Sequence, residues 1–520
     1  MLLIRATQIR NEKKNFREGE KDFAYFLIVA LLLCKAGFSA ELDIRPALAV
    51  SQVAIQDETG SRELSRDLIT ELIPSLNVDI ATRRINAQAE YAYEQRAYYR
   101  NSDHLQASQQ YRLASSLEFL KNRGIISVAS SSGQRLTDPL GGLSINNNAI
   151  TGNRSNYQSY TAGVKWDQPI SSFSNGSIDV SINKTVSDSD FINNTQNQFA
   201  RAVLSSGKWF QRSYWSIETI RSRQAYSANQ SPYIASALVN AGFRITKQID
   251  ISSVVGYEWN PQSAFSQSRV TSGYVAEAKL NWLLNKQLML NTLYGRRSYG
   301  ETYNLDVNWN PFVRTELNGS YGKEVFGKTY SFLFSHHFRK ASWTLSYAEK
   351  LTSRSYVEIE QELALLLDQD GLPIVSSTTG QPLIAINNLF FIRDGVYVEK
   401  MLSIGSDIKG RRSVLSTSLS YQKRVFQEDE IKDQAYSASI SWTLHASASG
   451  ALSALASVHR GGYGDSVRKD DVYQGQLSYS HQLAKAISAR IEYTHLMRDS
   501  SEPESDQKQG LVRAQISAEW

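Results

Sequence analysis

The sequence is poor in the residues that disulfide frameworks and metal sites are built on. In 520 residues there is one cysteine, Cys34, with 4 methionines, 10 prolines and 7 histidines. A single cysteine excludes an internal disulfide and any paired-cysteine zinc or redox motif. No run of ~20 apolar residues occurs, so helical membrane spans are excluded. The chain also lacks a charge bias: 56 basic against 51 acidic side chains leave a net +5, and the charges are scattered. That pattern gives no nucleic-acid footprint.

What is present is aromatic and polar. Aromatic residues make up 11% of the chain, tyrosine supplies 27 of them, and serine, threonine, asparagine and glutamine fill much of the rest. This aromatic content is too high for a disordered chain.

The N-terminus reads as an export signal. The apolar stretch FAYFLIVALLLC (23–34) follows Lys13, Lys14, Arg17 and Lys21 and precedes Ala36-Gly37-Phe38-Ser39-Ala40. A basic lead, a short apolar core and small residues after it are the parts of a secretory signal peptide. Residues 1–40 are therefore expected to be a signal peptide with a long basic leader. Cleavage after Ser39 puts small residues, Gly37 and Ser39, at the two positions that need them; cleavage after Ala40 puts Phe38 at one of them. A lipidated Cys34 is the competing reading, disfavoured because Leu33 precedes it.

From residue 42 onward the dominant pattern is period-two alternation, the mark of a strand with two unlike faces. Tyr303, Leu305, Val307 and Trp309 interleave with Asn304, Asp306 and Asn308. Val313, Thr315, Leu317 and Tyr321 alternate with Arg314, Glu316, Asn318 and Ser320. Ala276, Ala278, Leu280 and Trp282 alternate with Glu277, Lys279 and Asn281. Runs of ~9–11 residues suit tilted transmembrane strands, and charges opposite the apolar face suit a wet lumen. Glu277, Lys279, Asn304, Asp306, Arg314 and Glu316 are accordingly the candidate lumen-facing residues; a blander reading is that they are simply solvated.

The gaps between these runs alternate short and long, the connection pattern of an outer-membrane barrel. Carried through the chain, the alternation predicts an all-β fold: a transmembrane antiparallel up-and-down β-barrel over 41–520. It has about 24 strands, within a range of 20 to 26, and both termini in the periplasm. The end of the chain agrees. Val512, Ala514, Ile516, Ala518 and Trp520 alternate with polar residues, resembling the C-terminal signal through which the barrel assembly machinery inserts such proteins.

Three stretches resemble one family, the outer-membrane proteins associated with the PEP-CTERM/exosortase sorting system. They are ELDIRPALAVSQV from Glu41, GKEVFGKTYSFLFSHHFRKASWTLSYAEKLTS from Gly322, and NLFFIRDGVYVEKMLSIGSDIKGRRSVLSTSLSYQKR from Asn388. The similarity runs from about residue 41 to the end, and it departs at Asn146–Asn156 and after Gln56. The resemblance implies an outer-membrane location in Gram-negative bacteria that make exopolysaccharide; it supplies no catalytic residues.

No metalloprotease, paired-cysteine or phosphate-loop motif appears. His336 and His337 are neighbours on one strand and point to opposite faces, so they cannot chelate one metal. His459 and His495, near expected outer strand ends, would be the first residues to consider for catalysis, but the chain reads as a non-enzyme with no cofactor or metal. The segment 351–400 is the longest departure from the strand pattern. EIEQELALLLDQDGLP from Glu358 starts as a short helix and ends in a turn, and it is expected either to fold inward as a plug or to extend outward as a loop. Two function classes follow: a porin-like channel, specifically an exit pore for exopolysaccharide, and a non-conducting barrel that anchors surface polymer or partner proteins. Outer-membrane lipid, the assembly machinery and polysaccharide are the expected partners, with no nucleic acid. A third reading, a soluble extracellular β-protein, requires the terminal strand to be accidental.

Overall fold

The computed structural model describes residues 41–59, 64–100, 105–120, 123–136, 154–188, 194–226, 233–259, 272–324, 326–354, 360–365, 384–389, 395–426, 431–462 and 468–520. The expected signal peptide lies outside the described residues.

The alternating segments form 24 strands of one antiparallel sheet, each paired with the strand before and after it in the chain. The first strand, Glu41–Thr59, pairs with the last, Gln507–Glu519, from Ala47 opposite Glu519 to Thr59 opposite Gln507. The sheet is thereby closed into a barrel with no unpaired edge, as a span through lipid requires. The barrel strands run from 10 residues (Leu288–Arg297) to 19 (Glu41–Thr59). At ~3.3 Å per residue and a tilt of ~40°, the shortest covers the ~25 Å apolar band of such barrels.

Connections sort by end. One end carries the tight turns, among them 245–248, 286–287, 313–314, 338–340, 410–412 and 485–486; the other carries the long connections, including 260–271 and 355–394. Two connections at the long-loop end are also tight. One of them is Ser298-Tyr299, closed by Gly300 at φ +120°, a backbone conformation in which a side chain is strained. The ladder between Ser65–Ala81 and Ile85–Tyr98 skips Ile73 and Pro74, where proline has no N–H to donate.

The two faces are unlike along the whole circumference. One carries Val512, Ile516, Leu477, Ile440, Leu305 and Trp309, all exposed in the isolated chain, with Ile516 at 57%. So much exposed apolar surface around a closed wall is tenable only against lipid, although the outward Val78, Ile80, Ala87 and Ala89 are packed together and buried. It is the outer wall, and the serine, amide and charged face is the inner one. The outer wall has two aromatic belts. Trp166, Trp215, Trp282, Trp309, Trp343, Trp442 and Trp520 ring the tight-turn end, with Trp209 in a turn beside them. Tyrosines such as Tyr303, Tyr321, Tyr330, Tyr421 and Tyr436 ring the other half. Tyr321 contacts Tyr330 at 5.2 Å between ring centroids, and Tyr421 contacts Tyr436 at 4.8 Å. Rings at such positions straddle the water–hydrocarbon boundary.

The long segment departs from expectation. Where a short helix is expected from Glu358, the described residues Glu360–Leu365 form a strand instead, paired antiparallel with Ile384–Leu389 in a separate two-stranded sheet. Six residues are too few for a stable isolated helix, and the ladder with IAINNL supplies the backbone partners instead. The second strand of this hairpin lies against the wall strands Lys432–His445 and Gly450–Gly462. The rest of the expected plug region lies outside the described residues. Among the described residues there is no α-helix.

Candidate functional site

The inner wall is the candidate site, and its chemistry follows from register. Directly opposed residues of antiparallel strands share a face, so serines placed in the inward phase meet as cross-strand pairs. Ser418 and Ser439 are 2.6 Å apart, Ser420 and Ser437 2.5 Å, Ser346 and Ser403 2.5 Å, and Ser488 and Ser517 2.7 Å. Gln474, Gln476, Ser478, Ser480 and Gln482 continue this lining on the strand Lys469–Ala484. From Ser413 to Gln482 the wall is thus mostly hydroxyl and amide.

Charged clusters interrupt the lining in the half nearest the long loops. The fully buried Glu71 accepts from Ser51 Oγ at 2.5 Å and pairs with Arg96 at 3.4 Å and Arg513 at 3.3 Å. Arg96 also holds Glu94 at 2.5 Å. A second cluster centres on Glu399, which pairs with Lys350 at 2.9 Å and Arg424 at 3.7 Å and accepts from Gln422. The Arg424 guanidinium lies 4.9 Å from the Tyr397 ring centroid. Each carboxylate here is compensated by several donors, which is what lets a buried charge persist.

Of the sequence-predicted residues, Glu277, Lys279, Asn304, Asp306 and Glu316 take the inward phase of their strands. Glu277 belongs to a built cluster: Arg297 Nε is 2.5 Å from its Oε1, and Arg297 reaches Glu258 at 3.4 Å. Ser298 Oγ donates to the same Glu258 at 2.7 Å. Beside it in the turn, burial pushes the Tyr299 phenol above its ordinary pKa, which keeps it a neutral donor. Asn304 donates to Asp306 at 2.8 Å, and Asn318 donates to Glu316 at 2.6 Å. These residues share a wall without converging on one point. Arg314 departs from expectation: it sits exposed in the two-residue turn 313–314, because the strand pairing ends at Phe312 opposite Thr315.

His336 and His337 do take opposite faces, with Thr315 Oγ1 2.7 Å from His336 Nδ1 on the outer one. His459 points inward and is buried, with neither ring nitrogen hydrogen-bonded, whereas His495 is exposed on the outer wall. They are on opposite sides of the sheet and cannot act together. Among the described residues no cluster of histidines, cysteines and carboxylates is arranged to hold a metal. The Glu71 and Glu399 clusters were missed by sequence reasoning. Both carboxylates occupy the polar phase of an alternating run, but Arg513 is 442 residues from Glu71, a separation no local pattern reports.

Charge is also distributed by end. The described tight turns carry Arg83, Arg84, Arg123, Lys208, Arg212, Lys247, Lys286, Arg314, Arg339, Lys340, Arg411, Arg412 and Lys485, all exposed, and no aspartate or glutamate. The inner wall leans the other way. On its first three strands Asp43, Asp57, Asp67, Glu71, Asp79, Glu90 and Glu94 face Arg45 and Arg96.

No family model and no curated relative matches the chain. Among solved structures it is similar to the ferric enterobactin receptor PfeA of Pseudomonas aeruginosa, at 9% identity and a TM-score of 0.45, covering 92% of this chain and 80% of that one. The siderophore receptor PirA of Acinetobacter baumannii gives 8% and 0.46, over 91% and 80%. A loop-deletion mutant of OmpT, an outer membrane protein of Vibrio cholerae, gives 6% and 0.30, over 93% and 100%. At these values the likeness says nothing about a ligand. The chain's own architecture is that of an outer-membrane β-barrel.

Proposed function

We propose that this protein is an outer-membrane conduit for a saccharide polymer, working with the PEP-CTERM/exosortase system that its sequence resembles. The observation that carries the reading is the hydroxyl and amide lining between Ser413 and Gln482. A conducting path must attract its cargo at the mouth and hold it weakly inside. The exposed basic turns draw an acidic polymer towards the barrel. Between Ser413 and Gln482 the inner wall then offers mostly exchangeable hydrogen bonds, and carboxylates outnumber cations on the first three strands, so an acidic chain is held weakly. In this reading the tight-turn end and both termini are periplasmic, the long loops face outward, and residues 1–40 direct export.

The test is single-channel conductance in planar bilayers, with acidic and neutral saccharide fragments as blockers. Conductance steps blocked by both, with the acidic fragments entering faster from the tight-turn side, are expected. Replacing Arg339, Lys340, Arg411 and Arg412 with glutamine should slow entry of the acidic fragments only, and salt should do the same to the native protein. Absence of saccharide block in a conducting barrel overturns the reading.

A second reading, a non-conducting barrel that anchors surface polymer or partners, is favoured by one observation. Inward side chains around the seam and on the strands after Gly395 are buried at the long-loop half, Ile69, Leu511 and Gln509 among them at 0% exposure. Between Tyr157 and Arg244 no described inward side chain is buried. Part of the wall is therefore covered, on the side where the hairpin Glu360–Leu365/Ile384–Leu389 lies. A heat-modifiable barrel that inserts and stays silent would support this second reading.

A further inference from the structure

Charge on the outer wall is confined to one height. In the tight-turn half, the described outward strand positions carry no lysine, arginine, aspartate or glutamate; on the first strand they are Leu42, Ile44, Pro46 and Leu48. In the long-loop half, directly above the tyrosine belt, outward positions turn basic. Lys323 follows Tyr321 by two residues, Lys328 precedes Tyr330 by two, and Lys423 follows Tyr421 by two. On the five strands from Gly395 to Ala484 the outward charges are Lys400, Lys423, Lys432, Arg460 and Lys469 against Asp471 alone. Lys400 is engaged with Glu349 at 3.0 Å, and Arg460 with Asp471 at 2.6 Å through two nitrogens.

Below these cations the same strands form a depression of about 580 Å³ in the outer wall. Its floor is apolar, with Leu402, Ile404, Leu419 and Val458, and its rim carries Tyr421, Tyr436, Tyr473 and the Arg460–Asp471 pair. A cation on a lipid-facing strand is costly at mid-bilayer and nearly free at the interface, so the row marks a headgroup plane. A merely solvated row needs no surplus of one sign. A row of cations over an apolar groove matches a ligand with phosphate above and acyl chains below.

We propose that this face holds a phosphorylated, multiply acylated glycolipid of the outer leaflet. Its acyl chains lie in the groove between Leu402 and Val458, and its phosphates lie on Lys423, Lys432 and Lys469. The inference rests on the outer-membrane orientation given above and is independent of conduction, since a binding assay reads neither pore nor polymer.

The experiment titrates the full-length barrel in mild detergent with a bis-phosphorylated acylated glucosamine disaccharide, and follows binding by native mass spectrometry and thermal shift. The same disaccharide without phosphates and phosphatidylglycerol are run alongside. The native protein should bind the bis-phosphorylated lipid and be stabilised by it. The K423Q/K432Q/K469Q variant should lose about fivefold in affinity per lysine, roughly a hundredfold together. K184Q/R223Q, which removes two outward cations on strands remote from the groove, should bind as the native protein does, and heat-modifiability confirms that both variants are folded. Equal binding by the triple variant, or by the dephosphorylated lipid, overturns the proposal. So does equal binding of phosphatidylglycerol, which would leave only a general anion preference.

Discussion

Arg513 on the last strand reaches across the first strand to Glu71 on the second, with Nη2 3.3 Å from Oε1. The pair therefore ties together the two ends of the chain where the barrel closes, and Arg96 on the third strand extends the tie at 3.4 Å. Glu71 is fully buried, so removing Arg513 weakens the compensation of its charge, and removing Glu71 takes a counter-charge from both Arg513 and Arg96. Glu71→Ala or Arg513→Ala should destabilise the folded barrel by about 3–5 kcal/mol. The half-exposed Arg201–Glu218 pair, as a control, should contribute about 0–1 kcal/mol. Urea unfolding of refolded protein in bilayers, read by tryptophan fluorescence, makes the comparison.

Assembly and stability should separate at the C-terminus. The Trp520 amide donates to the Pro46 carbonyl at 3.0 Å, while its ring faces outward, 66% exposed. Trp520→Ser keeps the backbone bond and removes only the ring. Yield of heat-modifiable barrel in outer membranes should fall, while protein refolded in detergent should melt close to the native temperature. An undiminished membrane yield would mean that the terminal residue is not read during insertion.

Register can be tested with neighbouring residues. Ile440 faces outward near mid-strand and Ser441 faces inward. Ile440→Arg places a cation against lipid and should cost ~2–4 kcal/mol. Ser441→Arg places the same charge in the lumen, where it should leave the unfolding midpoint nearly unchanged. Equal effects at the two positions would refute the assigned faces.

Gly300 closes the two-residue turn Ser298-Tyr299 at φ +120°. Gly300→Ala should cost about 1–3 kcal/mol from backbone strain alone, because no atom within 4 Å obstructs the new methyl. Gly319, on the neighbouring strand and equally open, has no such φ. Gly319→Ala should change the unfolding midpoint little, and a matching loss there would point to a cause other than strain.

Much of this architecture was legible in the sequence. The period-two phase at Tyr303–Trp309 and Val512–Trp520 correctly assigned the outward residues, since alternation is set by strand geometry alone. The short and long gaps alternating between the runs point to about 24 strands, and 24 are formed, because each hairpin needs one connection at each end of the barrel. Arg314 was misplaced because a two-residue turn prolongs the apparent alternation through Val313 and Thr315. The segment after Glu358 was misread because a short apolar run fits a helix or a strand equally well, and its partner, IAINNL, lies beyond an intervening turn. The ion pairs at Glu71 and Glu399 were out of reach for another reason. Inward phase is local information, but the partner of a buried carboxylate is fixed by barrel closure.

Cysteine accessibility tests the lipid-facing and water-facing walls most directly. Residues 41–520 contain no cysteine, so single substitutions report cleanly. Cysteines at Ser418, Ser439 and Ser457, on the inward phase of three consecutive strands, are compared with cysteines at Leu419, Ile440 and Val458 beside them. With the protein in lipid vesicles, a small water-soluble maleimide should label the first three and spare the second three. Labelling of both sets alike, or of the outward set alone, would contradict a barrel with a wet, hydroxyl-lined interior.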